Sequence, residues 1–464
     1  MGGYLKVGHP GNGVKRIRLF SPTVLVCLGL FFFSQIFFLV HIGYPEGYNF
    51  DEITYIPAAK QFLHQEVKEI KNWEHPPLAK ELMAVGIKIF GDKPLGWRYM
   101  STLFGSLTLV GMYLWALVLF KNRSTALFAA LLTLVNQLLY VHARIAILEV
   151  FMFAFTVFAL VCFCAAWSAR IDQHKAHRLC LGAGVLFGLA MACKWAAVVP
   201  WLSIIGLIVL VRTMQHWKTV FQGESPWQAR HTGFEDWYAP DLFAGISNTK
   251  LAAAFILVPI GVYFLSFLPY LFMQKADGTR YALFDFIPMQ LTMWKGQVGI
   301  VTSHPYMSKW TSWPLMTRPI WYAFDKEDEG FFRCVIFLGN PLIMWSGLLA
   351  LLYCIWGWMA YRSRDAFLIL SFYAAFYLGW AFIPRNVSYY YYYYPAGMTL
   401  SLAIAFCFHA WESGKSFLLG RLHILRWTFL TACIVIFIIF YPILAAVKVS
   451  LAEYYMRMWL KSWI

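Results

Sequence analysis

The stretch YNFDEITYIPAAKQF, residues 48–62, sets two carboxylates side by side, Asp51 and Glu52, just past the first long apolar run of the chain. A carboxylate held near a membrane boundary can take the proton of an attacking hydroxyl. The same pair also suits a helix start, with Asp51 as N-cap and Glu52 in the first turn, and the two roles are compatible in one residue. Downstream, NWEHPPLAKEL supplies His75 and Lys80 around a rigid Pro76–Pro77 step, which reads as a helix start and as a site facing an anionic headgroup. GWRYM carries Arg98, HARIAILEVF carries Arg144 and Glu149, and Lys194 stands between GLAMAC and WAAVVP. Ionisable groups at the ends of apolar runs are costly unless paired or used. An Arg144–Glu149 ion pair is one reading of that region. The other groups Lys80, Arg98, Arg144 and Lys194 near one membrane face as a phosphate-binding cluster, in which charge-assisted hydrogen bonds offset desolvation. For Arg98 and Lys194 the competing reading is pairing with a nearby carboxylate such as Glu52 or Glu149. HPYMSKWTSWPLMTRPIWY, residues 304–322, adds His304 and Arg318 in an aromatic, proline-punctuated stretch. PRNVSYYYYYYPAGM adds Arg385 and the tyrosine run beginning at Tyr389, either as interface anchors or as contacts to a sugar or lipid headgroup.

These residues sit in a chain of 464 residues that is 60% hydrophobic and 19% aromatic but only 13% charged. A soluble domain carries about a quarter charged residues, so the composition describes an all-α polytopic membrane protein. The spacing predicts eleven spans, at about 20–43, 97–120, 124–142, 146–167, 178–194, 197–213, 250–272, 334–360, 365–383, 394–411 and 427–447. The run 178–213 would be about 54 Å long as one helix, too long for one crossing, so it reads as a hairpin turning near Lys194. The first run is long and bulky with no small-residue cleavage site after it, and reads as a span rather than a cleaved signal.

Basic residues in the short loops place one face in the cytoplasm: Lys15, Arg16 and Arg18, then Lys121 and Arg123, then Arg170, Lys175 and Arg178, and later Arg362, Arg364, Lys415, Arg421 and Arg426. Residues 1–19 and the loop 214–249 fall on that side. Segments 44–96 and 273–333 fall on the outer side, with the tyrosine turn at 384–393. The first of them has helical spacing over stretches too short to span, which predicts helices lying along the interface. The proline-punctuated 304–322 stretch predicts structured, non-helical backbone buried against protein or a cavity.

The net charge of +15 is scattered at span ends, as snorkelling produces, and does not point to nucleic acid. The nine cysteines read as small buried hydrophobes, without disulfide or zinc spacing. No nucleotide-binding loop stands in a suitable context, and no metal site is predicted; a divalent ion held by carboxylates is compatible with the sequence without being indicated.

FDEITYIPAAKQF, HPPLAKEL, FGDKPLGWRYMSTLFGSL, ARIAILE, CKWAAV, SHPYMSKWTSWPLMTRPIWY, FLGNPLIMW and YYYYPAGM follow one another along residues 45–400. In that order the chain resembles bacterial relatives of the dolichyl-phosphate-mannose–protein mannosyltransferases, integral-membrane glycosyltransferases of the GT-C class. The chain departs from the family at Glu149, where members often carry Asp, and in 273–333, which is too short for the β-trefoil domain of eukaryotic members. The resemblance implies a single GT-C domain over 1–464, with 44–96 and 273–333 forming the active site. It implies a polyprenyl-phosphate sugar, most often mannose, as co-substrate and a protein Ser/Thr hydroxyl as acceptor, in a bacterial inner membrane with the site on the outer face. Asp51 would be the base, Glu52 a positioning neighbour, and Arg98, Lys194, Lys80 and Arg144 the donor-phosphate ligands. His75, Glu149, His304, Arg318, Arg385 and Tyr389 would serve sugar and acceptor, and transfer would invert the anomeric carbon. A lipid or glycan acceptor, as in aminoarabinose transferases, is the alternative enzyme reading. A transporter with an acidic coupling pair is disfavoured because the ionisable residues gather at one face.

Overall fold

In the computed structural model, residues 21–64, 70–167, 172–221, 243, 245–275, 277–299, 304–327, 330–383, 385, 387–413 and 419–464 are described. The sidedness markers Lys15, Arg16, Arg18, Arg170 and Lys415, and most of the loop 214–249, lie outside them.

Each predicted span corresponds to a helix or a broken helix. Among the described residues eight helices are long and apolar enough to cross a membrane. They are α1 (Pro22–Leu39), α4 (Pro94–Phe120), α7 (Leu148–Ala166), α8 (Gln173–Cys193), α9 (Val198–Phe221), α10 (Asn248–Phe272), α12 (Pro341–Tyr361) and α15 (Leu419–Leu444). The other predicted crossings are made of α5 (Arg123–Leu134) with α6 (Gln137–His142), of α13 (Arg364–Leu378) with a short 3-10 turn, and of α14 (Tyr394–Ser413). Polar caps mark the breaks. Ser21, Asn122, Asn136, Asp172, Asn340 and Ser363 each accept from an N–H in the first turn of the helix that follows. Asn340 does more: its Nδ2 donates to the carbonyls of Val135 and Cys433, tying three crossings together.

The run 178–213 breaks where expected. Lys194 is extended (φ −160°, ψ 136°), so α8 stops at Cys193 and a 3-10 turn, Trp195–Ala197, leads into α9. The two helices then part: α8 packs on α7 and α10, α9 on α13. The α8–α10 contact is very close. A Cβ at Gly184 would lie 1.9 Å from the Ala254 carbonyl and one at Gly188 2.6 Å from the Val262 Cβ, the small-residue spacing that lets membrane helices approach.

Between α1 and α4 lie two short helices, α2 (Glu52–His64) and α3 (Leu78–Phe90). The segment 273–333 holds α11 (Phe286–Gly299) and irregular backbone across residues 304–319, with a short 3-10 turn at Trp310–Ser312. The mostly helical fold includes one feature absent from the all-α expectation. Strands β1 (Ile320–Lys326) and β2 (Phe331–Phe337) form an antiparallel hairpin, pairing Ile320 with Phe337 and Ala323 with Val335 around a bulge. Strand β3 (Val449–Ser450) adds to its edge, and α16 (Leu451–Met456) follows. The predicted span 334–360 therefore begins too early: Cys334–Phe337 are strand, and the helix starts at Pro341.

Candidate functional site

Asp51 and Glu52 are neighbours in sequence, but Asp51 stands in the turn before α2 and Glu52 opens the helix, and their environments diverge. Glu52 is fully buried and saturated. Its Oε1 accepts from Arg98 Nε and the Ala146 N–H, both at 2.9 Å, and its Oε2 from Arg98 Nη2 and the Asn49 N–H, both at 2.9 Å. The remaining Arg98 donors go to the carbonyls of Ile42 (3.0 Å), Pro45 (2.8 Å) and Gly47 (2.9 Å). All five guanidinium N–H groups are thereby used. Arg98 is thus a structural staple, and its expected role as a phosphate ligand is corrected: no donor is left for a ligand.

Asp51 is different. Phe50, just before it, is in the left-handed region (φ 47°) and packs against Tyr322, Tyr389, Tyr391 and His304. That turn directs the half-buried Asp51 away from the Glu52 network. Its Oδ2 accepts from the Tyr55 hydroxyl at 3.2 Å. Burial, reinforced by the Glu149 carboxylate, pushes the Asp51 carboxyl up to about 6, while Lys194, the Tyr55 hydrogen bond and Arg385 pull the other way. Asp51 is thus a carboxylate with free acceptor capacity, poised within the range of a general base.

Two further corrections concern the basic cluster. Arg144 donates to the carbonyls of Phe38, Val40 and His41, closing the end of α1, and the expected pairing with Glu149 is not formed, since Glu149 pairs with Lys194. Lys80, fully buried, donates to the carbonyls of Asn72 (2.7 Å) and His75 (2.8 Å). Burial lowers its ammonium to about 7, against the pull of Glu74 and Glu81. It locks the turn before α3.

Lys194 takes the other course. It pairs with Glu149 Oε1, leaving Glu149 Oε2 buried without a hydrogen-bond partner. Its Nζ lies 5.1 Å from the Tyr391 ring and 5.2 Å from Tyr392, the ring that Arg385 also approaches at 5.1 Å. Lys194 and Arg385 both line a cavity of about 320 Å³. Its remaining wall is largely apolar, from Trp195, Val198, Val199, Trp294, Trp380 and Ile383, with Glu74, His75 and Gln297 as the polar exceptions. Gln297 organises that edge. Its Oε1 accepts from Arg385 Nη1 at 2.9 Å, and its Nε2 donates to the Glu74 carbonyl at 2.9 Å and lies 3.4 Å from His75 Nδ1. Burial and the charges of Lys194, Lys80 and Arg385 keep His75 well below the usual imidazole range, hence neutral. A smaller recess lined by Glu149, Lys194, Tyr391 and Tyr392 adjoins the cavity through Lys194, Ala196, Val199 and Trp380. Two cations at the end of an apolar chamber suit an amphiphile with an anionic head.

The other anticipated residues lie apart from that cavity. His304 stacks near Phe50, Tyr306 and Tyr389, and its Nδ1 accepts from the Tyr306 N–H at 3.2 Å. Arg318 donates to the Pro305 carbonyl at 2.7 Å, fastening the irregular segment. Tyr389 is half-buried against Phe50 and Tyr391, on the Asp51 side. Among the described residues no group of three or more His, Cys, Asp or Glu side chains is placed to hold a metal ion.

Comparison with known proteins decides what kind of molecule holds this arrangement. Residues 74–227 match the family described as dolichyl-phosphate-mannose-protein mannosyltransferase, and residues 282–463 the C-terminal four-span region of protein-O-mannosyltransferase. The chain belongs to the protein O-mannosyltransferase family. A polyprenol-phosphate-mannose–protein mannosyltransferase of Corynebacterium glutamicum is 25% identical over 89% of this chain and 88% of its own length. Its counterpart in Mycolicibacterium smegmatis is 26% identical over 89% and 87%. In fold, the chain is similar to the Saccharomyces cerevisiae protein O-mannosyltransferase Pmt1-Pmt2 complex bound to the sugar donor, with a TM-score of 0.77, 14% identity and coverage of 95% of this chain and 92% of that one. It is also similar to ArnT from Cupriavidus metallidurans bound to undecaprenyl phosphate, with a TM-score of 0.53, 14% identity and coverage of 89% and 63%. The fold is therefore that of the GT-C membrane glycosyltransferases.

Within this mannosyltransferase fold, sequence reasoning missed Gln297 and the tryptophans Trp195, Trp294 and Trp380. Trp195 was legible as the residue after a charged break in an apolar run. Gln297 carried no local signal, because its partners lie more than 80 positions away in the chain.

Proposed function

We propose that this chain transfers mannose from a polyprenyl-phosphate donor to a Ser/Thr hydroxyl of a protein. The family and the relatives' names support the overall reaction, and the site gives it a physical reading. The donor phosphate sits against Lys194 and Arg385, whose charge-assisted hydrogen bonds stabilise it as it leaves. The prenyl chain occupies the tryptophan-lined cavity. Asp51 takes the proton of the acceptor hydroxyl, whose oxygen attacks the anomeric carbon opposite the phosphate and inverts it. Glu149 Oε2, buried and unsatisfied, accepts from a donor hydroxyl. Glu52 and Arg98 act on the reaction only by fixing where Asp51 stands. His304, Arg318 and Tyr389 border the acceptor path. In this reading the segments 44–96 and 273–333 face the outside of a bacterial inner membrane.

The observation that carries the reading is the asymmetry of the acidic pair: one carboxylate is fully satisfied, the other holds one hydrogen bond, from Tyr55, and is raised to about 6 within the field of two cations. Asp51→Asn should lower transfer to a Ser/Thr peptide about 10²–10⁴-fold while leaving donor binding intact. Wild-type turnover in that variant would overturn the assignment. Glycan and intact-protein mass spectrometry of a deletion strain distinguishes a protein acceptor from the lipid or glycan alternative.

A further inference from the structure

Helix α11 is 14 residues long, about 21 Å, too short to cross a bilayer. It nevertheless sits at membrane depth. After α10 the chain turns back at once: Gln274 bridges Arg280, and the Tyr281 N–H donates to the Met273 carbonyl. Phe286 then packs edge-on against Phe264 (4.9 Å) and Phe267 (5.2 Å), and the Tyr263 hydroxyl donates to Gln290 Oε1 at 2.6 Å. Tyr263 lies nine residues inside the end of a 25-residue span, roughly 13 Å along its axis. The side of α11 turned away from α10 carries Phe284, Ile287, Leu291, Trp294 and Val298, counting the residue pair that leads into the helix, at spacings of three and four, all exposed. Phe284 is 80% exposed and Leu291 58%, too much apolar surface for water. This stripe continues the outward surface of α10, where Leu257, Ile260, Leu265 and Phe272 are also exposed.

The same helix builds the site. Trp294, Gln297 and Val298 line the main cavity and Gln297 holds Arg385, while Pro288, Met289, Thr292 and Met293 line a second cavity of about 290 Å³ that shares His75 with the first.

We propose that α11 is an in-plane helix seated in the acyl chains of the bilayer leaflet on the site's side, and that this seat holds Gln297 and Trp294 in place as the wall of the donor cavity. The occupant of the stripe from Phe284 through Ile287 to Leu291 is bulk lipid, while Trp294 and Val298, farther along it, border the cavity. The seat is independent of the proposed reaction; its consequence for donor use rests on that reading.

The test uses the full chain in phospholipid nanodiscs on a background without the native cysteines. Spin labels at Phe284→Cys, Ile287→Cys and Leu291→Cys should collide more with oxygen than with a water-soluble nickel complex, and a label at Asp277→Cys the reverse. Nickel access at the three stripe positions equal to that at 277 overturns the seat. Leu291→Glu should raise the KM for a long-chain polyprenyl donor about tenfold, because a carboxylate is costly in the acyl region. It should leave transfer from a short, water-soluble prenyl-phosphate mannose unchanged. Equal losses with both donors, or no loss with either, would overturn the coupling even where the spin labels uphold the seat. An Asp51→Asn enzyme with normal turnover would instead strike the reaction reading and leave the collision data standing.

Discussion

Two buried ion pairs, Glu52–Arg98 and Glu149–Lys194, hold the same chemistry in two different conditions. The first is closed: every donor and both oxygens are matched, largely by backbone from the loop after α1. The second is open, with one carboxylate oxygen unmatched and the ammonium beside two tyrosine rings at a cavity wall. A buried charge whose hydrogen bonds are complete positions other groups; one whose bonds are incomplete has capacity left for a ligand. Counting donors and acceptors therefore separates scaffold from site where residue type does not.

The difference can be broken from either side. The largest effect on folding belongs to the closed pair. Arg98→Ala leaves Glu52 buried and unpaired, which should cost about 3–5 kcal/mol of stability. Thermal unfolding in detergent would reveal it, and donor binding by whatever fraction remains folded should be normal. Lys194→Gln works on the open pair: it keeps a neutral hydrogen bond to Glu149 and removes the charge offered to phosphate. Donor affinity should fall roughly 10- to 150-fold, the loss of one hydrogen bond to a charged group worth about 1.5–3 kcal/mol. Its melting temperature should fall much less than that of Arg98→Ala. An unchanged affinity with a large loss of stability would make both pairs scaffold.

The smallest effect sharpens the link to Asp51. As a base, Asp51 must be ionised, so kcat/KM should decline as pH falls through about 6. Glu149→Gln removes a like charge that raises the Asp51 carboxyl, and it leaves Lys194 freer to lower it. The acid limb should then move to lower pH, by less than one unit if burial is the dominant cause. Glu52→Gln should leave the position of that limb in place in any enzyme that folds, since Glu52 is not among the groups that shift Asp51.

Much of this was legible. Periodicity and length located the crossings, and the charged break at Lys194 divided 178–213 correctly. Asp51 stood out by its position. Its separation from Glu52 follows from the turn at Phe50 that sets Asp51 just ahead of the helix Glu52 opens. What could not be read was the fate of the cations. Arg98, Arg144 and Lys80 look alike in sequence, and each is engaged by carbonyls that only the folded loop brings near, Arg98 with no donor to spare: residues 42–47 for Arg98, 38–41 for Arg144, and 72 and 75 for Lys80. The β hairpin left a fainter trace. Ile320–Lys326 and Phe331–Phe337 are rich in aromatic and β-branched residues, with Gly330 at the turn (φ 81°). The second strand runs straight into the apolar sequence before α12, so its four last residues merged with the span.

The four bonds to Glu52 also bear on biosynthesis. Its partners come from residue 49, from α4 and from Ala146, and the last of these is 94 positions downstream. At about 5–20 residues per second, a chain made from its N-terminus waits roughly 5–19 s between the two. Through that interval α1 and α4 can already be in the bilayer while one oxygen of Glu52 still lacks its closing N–H. The Glu52 network beside Asp51 is complete only when the turn before α7 has been delivered, so the surroundings of the proposed base are set late, after the third predicted crossing rather than the first.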